Sequence, residues 1–124
     1  MFLNYSQSTG TWTKDDGTIV GRGWAGRGEG KNNPSMQHVK STGPLPRGVY
    51  KVGPWEENHP GLGPIVARLT QIEGETFGRD AFYIHGPAMD PAKHGQESKG
   101  CTVVPRPDRL KIRDLNPEFV RVTV

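Results

Sequence analysis

The sequence of 124 residues contains one cysteine, Cys101, so no disulfide can form within it. No apolar run approaches the ~18 residues that a membrane-spanning helix needs, which excludes membrane insertion by a helix. The first twenty residues hold no uninterrupted apolar stretch of the kind a cleaved export signal requires, so synthesis in the cytoplasm without a signal peptide is expected. Nowhere do four Lys or Arg follow one another, and 16 basic against 13 acidic residues leave a net charge of only +3. A basic arm for nucleic acid is therefore absent. Large apolar residues are also scarce: Leu, Ile, Val and Phe supply 25 of 124 positions, near the lower edge of what a folded core needs.

What is abundant is turn chemistry. Gly 17 and Pro 11 make up almost a quarter of the chain, yet three Trp, three Tyr and short apolar clusters argue against disorder. The length fits a single domain over residues 1–124. Alternation is mostly of period two, which predicts strands at 1–5, 11–14, 18–20, near Trp24, 48–53, 65–72, 81–86, 101–104 and 119–124. In the last of these, Val120, Val122 and Val124 share one face. Asp16-Gly17 signals a hairpin. Residues 21–46 and 55–64 read as loops, the second holding His59. The one predicted helix lies at 105–115, with Ile112 and Leu115 one turn apart and Asn116-Pro117 as its stop. The expectation is a mainly β protein, a small sandwich or barrel with one short helix near its C-terminal end.

Two nucleotide-binding readings fail. Gly21-Arg22-Gly23-Trp24-Ala25-Gly26 has the letters of a dinucleotide fingerprint, but Gly28, Gly30 and Pro34 follow where a helix must start. Gly30-Lys31 lacks both the upstream glycine and the Ser or Thr of a phosphate-binding loop.

The informative stretch is 82–109. His85 ends one strand, Cys101 begins another, and a fourteen-residue loop, 87–100, separates them. Loops of that length in so small a protein are usually functional. If the two strands are neighbours, imidazole and thiol meet at the loop's base, which is what a thiol nucleophile and its base need. Ser98 and the Gly100 and Cys101 amides would add donors there, and a glycine before the nucleophile permits the tight turn. Other readings remain open: Cys101 as a small buried hydrophobe, or a zinc site from His85, His94 and Cys101, although paired ligand spacing is missing.

The pattern His85-Gly86 followed by Ser98-x-Gly100-Cys101 resembles the signature of L,D-transpeptidase catalytic domains. More of the chain resembles the type VI secretion L,D-transpeptidase-like effectors: 28–34 (GEGKNNP), 43–50 (GPLPRGVY), Leu62-Gly63-Pro64, Phe77-Gly78-Arg79, Ile84-His85-Gly86 and 95–101 (GQESKGC). Lys99 stands where the general pattern has a second histidine. The resemblance implies an L,D-transpeptidase-like fold and a hydrolase or transferase acting on peptidoglycan stem tetrapeptides at the meso-diaminopimelate–D-alanine bond. Cys101 would be the nucleophile, His85 its base, and the Gly86 carbonyl the group that orients the imidazole. Gly100 and Cys101 amides would hold the oxyanion, Lys99 would add positive potential, and His94 would contact substrate or solvent. Arg79 and Arg106 are candidates to hold peptide carboxylates, because a guanidinium pairs with them in bidentate fashion; a surface salt bridge is the alternative for each. No metal or organic cofactor is implied. An antibacterial effector of this kind would act in the periplasm of a recipient cell, with an immunity protein and secretion-apparatus components as partners. A phage-encoded wall enzyme and a non-catalytic wall-binding module are the rival readings. A cysteine peptidase of the amidase type would place its nucleophile before its histidine, the reverse of the order here.

Overall fold

The computed structural model describes residues 1–88 and 98–124. Nine strands and one α-helix are present among them: β1 Phe2–Ser6, β2 Thr11–Thr13, β3 Ile19–Arg22, β4 Trp24–Ala25, β5 Gly48–His59, β6 Gly63–Gly74, β7 Phe82–His85, β8 Thr102–Val103, α1 Arg106–Leu115 and β9 Phe119–Thr123. Two 3-10 turns, Gly28–Gly30 and Pro34–Met36, punctuate the Gly/Pro-rich segment after β4.

All nine strands belong to one sheet, in the order β3-β2-β1-β9-β5-β6-β7-β8-β4. Laid flat, such a sheet would put its outer strands about 38 Å apart at the usual strand spacing. Yet β3 and β4, the two outer strands, are separated in sequence by Gly23 alone, which spans roughly 7 Å at most. The sheet must therefore curl until its edges nearly meet. The crowding at that closure is visible: a Cβ on Gly23 would sit 1.9 Å from the Val103 carbonyl oxygen, so only glycine fits. Gly23 N–H donates to the Gly10 carbonyl at 2.8 Å. The false dinucleotide fingerprint is thus the strand–Gly–strand link that closes a barrel-like sheet.

The inward face buries Leu3, Tyr5, Trp12, Val20, Tyr50, Leu69, Phe82, Ile84, Val120 and Val122. Removing a side chain as large as Trp12, with no exposure at all, costs about 3–5 kcal/mol. The helix forms where expected and lies against β3, with Arg109 and Ile112 buried and Leu115 packed on the core. Asn116 adopts the left-handed conformation (φ 49°), its N–H reaching the Arg113 and Ile112 carbonyls, and Pro117 prevents continuation.

Three expectations need correction. Residues 55–59 are not a loop: β5 runs unbroken to His59 and pairs with β6 down to His59 opposite Gly63. The β5 side of this outer half is mostly exposed, so it pairs with β6 without the apolar alternation that marks a strand. Val124 does not share the buried face of Val120 and Val122; it is 59% exposed, one residue beyond β9. The strands expected at 48–53 and 65–72 are longer than expected, twelve residues each.

Candidate active site

Strands β7 and β8 are parallel neighbours, with Ile84 opposite Thr102 and His85 opposite Val103. That register sets Cys101, one residue before β8, beside Tyr83. Paired residues of a parallel ladder share a face, and alternation then does the sorting. Phe82, Ile84 and Thr102 point into the core, while Tyr83, His85 and Cys101 share the opposite face of the sheet. The strand adjacency needed for a thiol and an imidazole to share a site is therefore met.

His85 is 3% exposed, and its Nδ1 lies 2.9 Å from the Gly86 carbonyl oxygen. A carbonyl only accepts, so Nδ1 carries the proton of the neutral ring and Nε2 carries the lone pair. A Cβ on Gly86 would come within 2.0 Å of Arg109 Nη1, so a side chain there would displace the guanidinium. The Gly86 carbonyl is within hydrogen-bond reach of the imidazole.

Cys101 is partly exposed, and its Sγ–H donates to the Ala81 carbonyl at 3.6 Å. Burial pushes the thiol up to about 11, against backbone hydrogen bonds at Tyr83 and at Cys101 itself, and against the nearby Arg79 charge, all of which pull it down. The resting thiol is neutral at pH 7, so it needs a base to become a nucleophile.

The turn that carries Cys101 is tied from below. The Ser98 hydroxyl, fully buried, donates to the Cys101 carbonyl and accepts from the Gly26 and Gly100 amides, at 2.8 and 3.2 Å. Two expectations fall here. Ser98 is a knot between β4 and the nucleophile turn and does not face substrate, and the Gly100 N–H is already donated and is not an oxyanion donor. Arg79 is corrected too. It is 5% exposed, with Nη1 donating to the Gln37 and Pro44 carbonyls and Nη2 to those of Gly43 and Lys99. Its guanidinium also lies 5.6 Å from the Phe82 ring centroid. These bonds commit it to clamping residues 37–44 onto the Cys101 turn, which leaves little of it for a peptide carboxylate.

Two cavities, of about 520 and 630 Å³, adjoin at Gly61, Leu62 and His85. The first also holds Cys101, Tyr83, Lys40, Lys99, Asp80 and His59. The second holds Gly86, Arg106 and Arg109. Lys99 is exposed beside the thiol, while Arg106 stands on the far side of His85. His94 lies outside the described residues. Among the described residues no three His, Cys, Asp or Glu side chains are grouped to hold a metal, and the conceived zinc set includes His94.

His59 and Tyr83 were not legible as site residues. His59 Nδ1 accepts from the Gly61 and Leu62 amides, each at 3.1 Å, and so shapes the hairpin tip that walls both cavities. Its ring meets Tyr83 edge-on, centroids 5.3 Å apart. A histidine followed two residues later by glycine in a polar stretch was the only available signal.

The fold is that of the L,D-transpeptidases. It superposes on the L,D-transpeptidase of Mycobacterium smegmatis with a TM-score of 0.58 at 16% identity, covering 99% of this chain and 58% of that one. L,D-transpeptidase 3 of Mycobacterium tuberculosis gives 0.60 at 17% identity, over 99% and 60%. The catalytic domain of the E. faecium L,D-transpeptidase gives 0.53 at 15% identity, over 98% and 95%. The chain thus spans about 60% of the mycobacterial chains and nearly all of the isolated catalytic domain. Residues 20–122 match the Tlde1 domain, and the chain belongs to that family. No curated protein sequence matches it.

Proposed function

We propose that this protein is a cysteine enzyme that modifies peptidoglycan, acting on stem tetrapeptides at the bond between meso-diaminopimelate and the terminal D-alanine. The observation that carries this reading is the parallel pairing of β7 with β8, which brings the His85 imidazole and the Cys101 thiol onto one face and into one cavity. Family membership and fold support the substrate class.

The thiol is neutral at rest, so His85 Nε2 takes its proton as Sγ attacks the carbonyl carbon, rather than meeting a ready-made thiolate. With the Gly100 amide already donated, Cys101 N–H is what remains of the expected oxyanion pair. Collapse of the tetrahedral adduct breaks the C–N bond; His85 returns the proton to the leaving amine, and a thioester remains on Cys101. Water then attacks with His85 as base, giving L,D-carboxypeptidase action, or a D-amino acid amine attacks, giving exchange. In either case a proton and the thiol are restored.

The E. faecium relative was determined acylated by ertapenem. Incubation of this protein with ertapenem provides a direct probe: a mass increase located at Cys101, slowed by His85→Ala, supports the assignment. Labelling as fast without His85 contradicts it. A binding module whose thiol stays bonded to the Ala81 carbonyl is the second reading, and it predicts no adduct.

We further propose an antibacterial effector delivered from the cytoplasm of one cell to the periplasm of another, neutralised in kin by an immunity protein that covers the Cys101 cavity. Its wall substrate is absent from the cytosol. Expression confined there is then harmless, expression with an export signal is toxic, and Cys101→Ala abolishes the toxicity. Equal toxicity in both compartments contradicts the reading.

A further inference from the structure

The larger cavity, on the side of His85 away from Cys101, has an unusual charge pattern. Arg106, exposed in the first turn of α1, and Arg109, only 3% exposed, both line it, and no Asp or Glu among the described residues does. Among the described residues, neither guanidinium has an ion-pair partner. Arg109 Nη1 donates to the Val104 carbonyl at 2.8 Å and Nη2 to the Pro64 carbonyl at 3.4 Å, while its Nε has no acceptor. Burial, and then the charge of Arg106, both work against the Arg109 cation. A buried cation beside a second cation is costly unless an anion completes the site.

The reaction above supplies such an anion at the right place. The leaving amine must stand at His85 to receive its proton, and an α-amino acid carries its carboxylate one carbon from that amine. We propose that Arg106 and Arg109 form a carboxylate site for the amino acid on the leaving side of the scissile bond, and for the D-amino acid that replaces it in exchange. Arg106 makes the contact, and Arg109 supplies charge from beneath Gly86, where its Nη1 is packed. The site reads a free chain end, so the enzyme trims a terminal residue rather than cutting within a longer peptide. This inference rests on the proposed peptidoglycan chemistry.

The test compares kcat and KM for a stem tetrapeptide ending in a free carboxylate and for its C-terminal amide. Wild type should prefer the acid by about tenfold to a hundredfold in kcat/KM, mainly through KM, as expected for a charge-assisted hydrogen bond. Arg106→Gln should bring the ratio near one, and Arg106→Glu should invert it. A second arm needs no turnover: D-alanine titrated into the Cys101→Ala protein should shift the Gly86 and Arg106 amide resonances, and D-alaninamide should not. Cleavage of acid and amide alike, or equal shifts with both probes, overturns the carboxylate site while leaving the catalytic reading intact. Binding of D-alanine without any cleavage by wild type supports the site and defeats the chemistry.

Discussion

Arg79 lies directly under Gly100: a Cβ on Gly100 would come within 2.5 Å of Arg79 Nη2 and 3.0 Å of the Phe82 ring. Gly100 also has φ +127°, a conformation that side chains rarely adopt. The nucleophile turn is therefore shaped by a buried guanidinium that it touches, and that guanidinium is the cation nearest in effect to the Cys101 thiol.

Replacing Arg79 by Met should lower the unfolding free energy by about 2–4 kcal/mol, because four backbone carbonyls lose a charged donor in a buried site. Urea unfolding measures this directly. Arg79→Lys should recover only part of the loss, since one ammonium cannot reproduce a planar fork. A Met variant as stable as wild type would show that the clamp contributes nothing. Gly100→Ala should be destabilised as well.

The Cys101 thiol gives a pH signature. Its folded pKa, about 11, stands above its ordinary value of 9, so its contribution to stability is fully present below pH 9 and is lost as pH rises towards 11. Tyr5 and Tyr50 are also raised by burial, so the total slope is shared. The difference in unfolding free energy between wild type and Cys101→Ala isolates the thiol, and it should shift against wild type between pH 9 and 11. A flat difference would mean that Cys101 is as solvated folded as unfolded.

His59 has two separable roles. Asn at this position can accept from the amides two and three residues on, whereas Phe keeps a ring against Tyr83 but accepts nothing. His59→Asn should retain slow hydrogen exchange at Gly61 and Leu62, and His59→Phe should lose it, with a stability cost of about 0.5–1.5 kcal/mol per hydrogen bond. Equal protection in both variants would show that the turn holds itself.

Legibility followed the side chains. The helix with its Asn116-Pro117 stop, the hairpin at Asp16-Gly17, and the strands that end at His85 and begin near Cys101 were readable, because apolar spacing and turn residues encode them. That those two strands pair was only a condition of the reading, supplied by the sheet. The outer half of β5 was not readable, because Glu56, Glu57 and Asn58 are exposed and pairing with β6 holds them extended. Arg79 read as a substrate residue because its true partners are carbonyls, which leave no trace in a sequence. The same holds for the Gly100 amide, whose acceptor is Ser98, and for Arg109, whose burial depends on a helix docking beneath Gly86.

The central claim is that Cys101 and His85 together cleave the stem peptide. Mass spectrometry of purified tetrapeptide muropeptides incubated with wild type, Cys101→Ala and His85→Ala tests it most directly. Wild type should convert tetrapeptide to tripeptide, or exchange the terminal residue when a D-amino acid is added. His85→Ala should be slower by roughly 10²- to 10⁴-fold, the worth of a positioned general base, and Cys101→Ala should leave the tetrapeptide intact. Conversion by Cys101→Ala at the wild-type rate, or none by folded wild type, would contradict the account.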